Sequence, residues 1–208
     1  MSDMLAKHDY VWTFSGTKFT PDNIHAGLIN IVDLANGLGR EPRFGNQTDT
    51  DYSVAQHSIH IAQEVWKKCK EQHIDPSKSM LEALLHDAHE AYSGDMPKPF
   101  KMKLHDLQEF EAKINLAVFE AFGLDYTQIS PFVKELDNKI VIDEALQLFS
   151  LVPPWARDFE HDRIGIEIVP WSKEVSSIVW LRMVCRLIGH KCKRTDAIRW
   201  LRLTGRVV

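Results

Sequence analysis

Five titratable side chains fall within ten residues of the segment ALLHDAHEAYSGDMPKPFK, residues 83–101: those of His86, Asp87, His89, Glu90 and Asp95. Two leucines, Leu84 and Leu85, precede them, as at the start of a buried helical turn. Burying so many ionisable groups costs free energy unless each finds a partner. On a helical wheel, the imidazole of His86 and the carboxylates of Asp87 and Glu90 share one arc, opposite an apolar face. Taken alone, this pattern is typical of an amphipathic helix with a polar outer face.

Two other helical stripes carry polar side chains that point inward. His57 shares a stripe with Val54 and Ile61, and Asp137 shares one with Glu144, seven residues later. An inward His is commonly a hydrogen-bonded core residue, whereas an inward carboxylate either takes up a proton or finds a cation. If the three helices converge, one divalent metal removes this conflict, and its ligands are His57, His86, Asp87 and Asp137.

The ligand types narrow the choice of metal. Two imidazoles and two carboxylates suit Mn, Fe, Co, Ni or Zn better than a thiolate-binding metal. The three cysteines, Cys69, Cys185 and Cys192, lie outside the cluster and argue against a zinc–thiolate site. Glu90 lies one turn from His86, where a carboxylate can orient an attacking water without binding the metal.

Helical periodicity dominates the rest of the chain and predicts an all-α fold. The predicted helices cover residues 22–39, 51–69, 76–93, 104–123 and 130–149. Gly37 or Gly39 is expected to end the first helix, and Gly94 the third. Residues 165–171, GIEIVPW, are rich in β-branched side chains and predict one brief strand.

The C-terminal part differs from the rest in charge. The formal net charge is −4, yet residues 172–208 carry nine Lys or Arg and two Asp or Glu. The pattern there predicts two helices around Gly189. We expect residues 1–152 to form one domain with an irregular N-terminal region, and residues 153–208 to form a basic helical extension packed on it or on a neighbouring subunit. A homo-oligomer interface is predicted by an apolar stripe beside the charges, made of Trp180, Leu181, Val184 and Leu187.

The amino-acid composition limits the classes of protein to which the chain can belong. Apolar residues make up 44% and charged residues 26% of the 208 positions, as in ordinary globular domains. No apolar run approaches the roughly 18 residues of a membrane span, and no secretory signal is evident. An odd number of cysteines without a CxxC pair predicts reduced thiols and a cytoplasmic location.

The order of the proposed ligands, His57, then His86–Asp87, then Asp137, resembles the H…HD…D signature of the HD-domain metal-dependent phosphohydrolases. Three strings are similar to the branch of that family containing bacterial 5′-deoxynucleotidases and phage dATP triphosphohydrolases: YSVAQHS at 52–58, ALLHDAHEAYSGDMPKPFK at 83–101 and VKELD at 133–137. The resemblance covers residues 10–150 and implies an HD-domain helical bundle that binds a divalent ion (Co, Mn, Zn, Ni, Fe or Mg).

The resemblance also implies roles for individual residues. His57, His86, Asp87 and Asp137 match the metal ligands, and Glu90 matches the carboxylate that positions the attacking water. Asp95 matches a carboxylate associated with protonation of the leaving oxygen, and Lys101 a lysine that faces the phosphate. Arg43 and Phe44 match an arginine that clamps phosphate and an aromatic ring that stacks on a base. Phe44 stands where the deoxynucleotidases have tryptophan, and Trp12 is the alternative stacking residue.

The implied activity is hydrolysis of 2′-deoxynucleotides by water attack at the α-phosphorus, releasing a deoxynucleoside with phosphate or triphosphate. Aromatic rings near the N-terminus and the similarity to dATP triphosphohydrolases favour dATP, dADP and dAMP as substrates. Two alternatives stay open: hydrolysis of another phosphoester, such as a cyclic nucleotide or an alarmone, and a nucleotide- or nucleic-acid-binding module that uses the basic C-terminus. A carboxylate placed to orient water favours an enzyme, because a binding module needs none.

Overall fold

The computed structural model describes residues 9–189. Its strands, β1 (Val11–Trp12) and β2 (Lys18–Phe19), form a small antiparallel hairpin in which Val11 pairs with Phe19. The α-helices follow in the order α1 (Ile31–Arg40), α2 (Val54–Glu71), α3 (Ser77–Leu85), α4 (Glu90–Ser93), α5 (Lys98–Lys101), α6 (His105–Ala121), α7 (Pro131–Leu148), α8 (Pro154–Asp158) and α9 (Lys173–Leu187). The all-α fold predicted from the sequence is confirmed.

Helix α2 is central in the bundle and packs against α1, α3 and α7, while α9 lies across α1 and α3. The core is formed by fully buried apolar side chains on these helices, including Leu38, Ile59, Leu84 and Trp180. The indole N–H of Trp180 donates a 2.9 Å hydrogen bond to the Leu84 carbonyl oxygen, so its one polar group is satisfied in the core. Three helices that carry inward polar residues therefore meet around one interior.

The glycines of the first predicted helix have another role than the one expected. Gly37 and Gly39 lie inside α1 and do not end it. A Cβ atom at Gly37 would lie 2.7 Å from that of Ala91 on α4, and one at Gly39 would overlap the Ser177 hydroxyl on α9. These glycines let α1 approach its neighbours closely.

The helix predicted at residues 22–39 is wrong in its first half. Residues 21–28 form two short 3₁₀ turns, and α1 begins only after Asn30. The Asn30 side chain accepts a 2.9 Å hydrogen bond from the Val32 N–H and so caps the helix at that point.

The predicted strand at residues 165–171 is also wrong, since that segment has no regular secondary structure and pairs with no strand among the described residues. Several of its N–H groups donate to side chains instead of a neighbouring strand. The Asp143 carboxylate on α7 accepts hydrogen bonds from Ile164, Gly165 and Ile166, at 2.8–3.1 Å. The α7 and α2 glutamines add further bonds along the segment, which sequence periodicity does not reveal.

The apolar stripe of α9 faces the core of its own chain. Trp180, Leu181 and Val184 are buried against α1, α2 and α3, so this stripe does not support the subunit interface predicted from it. The second helix predicted after Gly189 lies outside the described residues. Among residues 9–189, no helix combines the length and apolar character needed to cross a membrane. The domain division at residue 152, the homo-oligomer and the cytoplasmic location stay predictions.

Candidate metal centre and active site

The chain bends where the metal ligands begin. Helix α3 ends at Leu85, and a turn through residues 86–89 leads into α4, where the sequence predicts one continuous helix. The turn keeps near-helical dihedral angles, so His86 and Glu90 still lie on one side. Gly94, at φ +79°, ends the segment as predicted. The irregular turn carries His86, Asp87 and His89, three of the titratable side chains of the segment 83–101.

The four predicted metal ligands come together from three elements. His57 on α2, His86 and Asp87 in the turn, and Asp137 on α7 each offer an atom, and these atoms lie within 4.8 Å of one another. The Nε2 atom of His57 lies 3.2 Å from Asp137 Oδ1, and that of His86 lies 3.0 Å from Asp87 Oδ2. Within residues 9–189 neither buried Nε2 atom has a hydrogen-bond partner of good geometry. The ligand atoms converge on a common point instead of pairing with one another.

The chemistry of the imidazoles fits a metal. His86 Nδ1 lies 2.8 Å from the Ala83 carbonyl oxygen, which can only accept, so the proton is on Nδ1. His57 Nδ1 lies 2.6 Å from the Glu144 carboxylate, which fixes that ring in the same tautomer. In the neutral form of each ring the Nε2 atom then carries a lone pair, as in metal-ligating histidines. Although burial opposes their charge, the neighbouring carboxylates raise the pKa of both rings, so a bound metal would take the place of the Nε2 proton. Although burial opposes ionisation, the neighbouring His57 and His86 hold the pKa of Asp137 well below its ordinary value.

Glu144 contacts the metal ligand His57, and sequence reasoning missed this contact. It is fully buried and accepts hydrogen bonds through Oε1 from His57 Nδ1 and, at 3.0 Å, from the Tyr52 hydroxyl. Burial opposes its charge, but His57 and Arg43 lower its pKa. Its position two turns after Asp137 on one stripe was the available signal.

Arg43 lies in the same charged centre. Its Nη1 atom is 3.3 Å from Asp95 Oδ2 and 4.0 Å from Asp87 Oδ2, and its Nη2 atom is 3.6 Å from Glu144 Oε2. Burial opposes the charge of the guanidinium, but the surrounding carboxylates raise its pKa above the ordinary value. A permanent cation therefore lies beside the metal ligands, where an anionic ligand would meet it.

Phe44 follows Arg43 in a strained conformation. Its φ of +57° is unusual for a non-glycine residue, and its N–H donates to Asp95 Oδ2 at 3.3 Å. The ring lies 5.3 Å from that of Phe149, edge to face. Asp95 thus holds both the guanidinium and the backbone of this pair.

Glu90 and Lys101 lie on the other side of the centre. Glu90 is buried, and its Oε2 atom has no hydrogen-bond partner in the described part of the chain. Burial, followed by the charges of Asp87 and Asp95, raises the pKa of Glu90 well above its usual value. Lys101 Nζ lies 3.1 Å from Glu111 Oε2 and 3.9 Å from Glu90 Oε1. Glu90 therefore combines high proton affinity with an oxygen free to bind water.

A cavity of about 760 Å³ opens over these groups. Its polar lining includes Arg43, Asp87, Glu90, Asp95, Lys101 and Asp137, and its apolar lining includes Phe44, Phe149 and Trp155. Trp12 is 67% exposed on β1 and does not line this cavity. Of the predicted site residues, the structure thus brings together all except Trp12.

Comparison with known proteins agrees with this geometry. The family model of YfbR-like 5′-deoxynucleotidases matches residues 39–122. The uncharacterized protein YfdR of Escherichia coli (strain K12) is 37% identical over 139 residues, which cover 67% of this chain and 72% of YfdR. The chain belongs to the YfbR-like 5′-deoxynucleotidase family. An uncharacterized protein of Rhodobacter capsulatus is 33% identical over 125 residues, covering 57% of this chain and 61% of that protein.

Membership of the YfbR-like family confirms the resemblance found in the sequence and places the chain in the HD superfamily. The family supports an HD-type hydrolase, and the superfamily uses divalent metals. The matched range contains most of the site, from Arg43 to Lys101, but ends before α7. Asp137 and Glu144 are therefore tied to the site by their geometry in this structure.

Proposed function

We propose that this protein is a metal-dependent phosphohydrolase that cleaves 2′-deoxynucleotides by water attack at the α-phosphorus. The observation that carries the proposal is the convergence of two buried imidazole lone pairs and two carboxylates beside Glu90 and Arg43 in one cavity. A binding protein for nucleotides would need the cations of this cavity, but no carboxylate with raised proton affinity next to the metal ligands.

Each residue has a defined task in this proposal. A divalent ion held by His57, His86, Asp87 and Asp137 would supply a water of lowered pKa and polarise a phosphoryl oxygen. Glu90 accepts the proton of the attacking water, since it lines the cavity, one of its oxygens has no hydrogen-bond partner in the described part of the chain, and its pKa is raised. Arg43 and Lys101 offset the charge that builds up on the phosphoryl oxygens. Asp95, oriented by Arg43 and the Phe44 N–H, passes the proton that Glu90 has accepted on to the leaving 5′-oxygen, so the attacking water supplies both the oxygen of the new P–O bond and the proton of the released hydroxyl.

The number of positive side chains that line the cavity bears on how many phosphate groups the substrate carries. Among the cavity-lining residues the positive side chains are those of Arg43, Lys98 and Lys101, and Arg43 already pairs with carboxylates. Water attack at the α-phosphorus releases phosphate from a monophosphate and triphosphate from a triphosphate. We propose dAMP as the first substrate to test, with dADP and dATP as longer members of the preferred adenine series.

A substrate comparison tests the proposal. The assay measures kcat/KM for dAMP, dATP, AMP, ATP, dGTP and dCTP with Mn²⁺, Co²⁺ and Zn²⁺, and includes the Asp137→Ala variant to show that turnover arises from this site. We expect deoxynucleotides to exceed ribonucleotides, because a pocket packed against C2′ leaves a ribose hydroxyl without room or partner. Equal values for dATP and ATP would remove the deoxy preference, and a faster pyrimidine would remove the adenine preference. If neither phosphate nor triphosphate is released from any of these nucleotides with any of these metals, the hydrolase is refuted.

A further inference from the structure

An exposed tryptophan lines the same cavity as the metal ligands. Trp155, on the short helix α8, is 40% exposed, whereas Trp180 of the core is fully buried. It lies beyond residues 39–122, which the family model matches, so its place at the site follows from the structure of this chain alone. A large aromatic ring that borders a polar cavity offers a flat surface for a ligand.

The aromatic surface begins next to the cation of the site. The Phe44 ring centre lies 5.6 Å from the guanidinium carbon of Arg43, and the Phe149 ring lies 5.3 Å beyond it. Trp155 and Pro153 line the cavity together with Phe149. The cavity therefore has an anion-binding end and an aromatic end, as a nucleotide has a phosphate and a base.

The segment that carries this surface is held in place. Pro153 and Pro154 restrict the backbone where α8 begins, and Ala156 beside Trp155 is fully buried. Phe149 packs on a small second core formed by Tyr52, Leu148 and Ile168. The Asp49 N–H donates a 2.9 Å hydrogen bond to the Leu148 carbonyl oxygen and ties this segment to the loop before α2. A ring carried by a backbone that is fixed in this way loses less entropy when a ligand stacks on it than a ring on a mobile loop would.

We propose that Trp155, supported by Phe149, is the surface on which the nucleobase of the substrate stacks, and that it sets the preference for a purine. This inference rests on the proposed function and adds a specificity-determining residue to it. Trp155 replaces Trp12, which the sequence offered as the alternative residue for stacking on the base. Stacking on the fused indole rings covers more of a purine than of a pyrimidine, so the preference follows from overlap area and needs no base-specific hydrogen bond.

Two variants, one on α8 and one at the residue that follows it, test the proposal. Trp155→Ala removes the ring from the cavity, and Phe159→Ala, a 53% exposed aromatic at the end of the same helix that does not line the cavity, is the matched control. Stacking of one base is worth about 5- to 150-fold in binding. We expect kcat/KM for dAMP to fall by at least about fivefold in Trp155→Ala, mostly through KM. The loss should exceed that for 2-deoxyribose 5-phosphate, which has no base, and Phe159→Ala should resemble the wild type.

The outcomes separate this inference from the proposed function. Equal losses for dAMP and 2-deoxyribose 5-phosphate, or no loss for dAMP, would overturn the stacking role and leave the hydrolase intact. If the wild type hydrolyses no deoxynucleotide, the proposed function fails, and binding of dAMP then tests the surface independently. Titration with dAMP should quench tryptophan fluorescence in the wild type and in Phe159→Ala, but less in Trp155→Phe; undiminished quenching in Trp155→Phe overturns the inference.

Discussion

Replacing Glu144 with glutamine tests whether the metal centre depends on a carboxylate outside its four proposed ligands. Glu144 Oε1 accepts from His57 Nδ1 and from the Tyr52 hydroxyl, while Oε2 faces Arg43 at 3.6 Å. A glutamine can keep the first two contacts through its carbonyl oxygen, but it loses the negative charge and turns an NH₂ group toward the guanidinium. The substitution therefore removes charge with little change in shape.

The expected effect is on metal affinity. Partners of metal-ligating histidines typically contribute 10- to 100-fold to affinity, or about 1.4–2.7 kcal/mol. A fully buried partner at 2.6 Å is expected to act within that range, since no solvent screens it. Tyr52→Phe leaves the charge in place and removes one donor, so a smaller loss of a few-fold is expected.

The assay is isothermal titration of metal-stripped protein with Zn²⁺ or Mn²⁺. Glu135→Gln is the control, because Glu135 lies on the same helix but is partly exposed and pairs with Lys68 and Lys139 at the surface. Surface pairs contribute about 0–1 kcal/mol to stability, and the control should keep the wild-type metal affinity. If folded Glu144→Gln protein binds metal as tightly as the wild type, the carboxylate does not support His57 and the reasoning is wrong.

Four further predictions concern metal binding, the role of Glu90 in turnover, stabilisation by the metal, and the pH dependence of stability. Asp137→Ala should lose bound metal and activity together, and full metal content by elemental analysis would remove Asp137 from the ligand set. The Glu90→Gln variant should still bind metal and nucleotide, but its turnover should fall by about 100-fold or more. Near-normal turnover would show that Glu90 takes no part in the reaction. Metal at 100 times its Kd adds about 2.7 kcal/mol of stability, so chelation should lower Tm by about 5–10 °C in the wild type but not in Asp137→Ala. Burial lowers the pKa of His60, partly offset by Glu144. The native state thus binds fewer protons there than the unfolded state, and stability falls below pH about 6.5, by at most about 1.4 kcal/mol per pH unit. Urea titrations at pH 7.5 and 5.5 should show a smaller decline for His60→Gln than for the wild type.

The metal ligands could be predicted from the sequence because each is a polar side chain on, or directly after, a run of positions that the helical pattern marks as buried and apolar. His57 and Asp137 interrupt apolar stripes of long, regular helices, and such helices are the elements that periodicity predicts best. His86 and Asp87 follow two buried leucines. A polar side chain on the inward face of a helix can therefore be recognised from that helix alone, without knowing which residue or ion it contacts.

The features that sequence reasoning missed depend on contacts between distant residues. Glu144 and His57 are 87 positions apart, and the pattern marks both as inward without showing that they form a pair. The false strand at 165–171 has the same cause, because Asp143 and Gln147 satisfy its N–H groups from another helix. Trp155 carries no periodic signal, since α8 has only five residues.

The balance of buried charge explains why these inward carboxylates are tolerated. Asp87, Asp137 and Glu144 have lowered pKa values despite burial, so all three are ionised at neutral pH. Without the metal, Arg43 and the two imidazoles, whose pKa values the carboxylates raise against the effect of burial, are the cations that face these carboxylates and Asp95. One divalent ion would replace the Nε2 protons of both imidazoles as the positive charge and meet the four ligand atoms at the same point. Because the ligands lie on α2, on the turn after α3 and on α7, binding the ion would also join three helices.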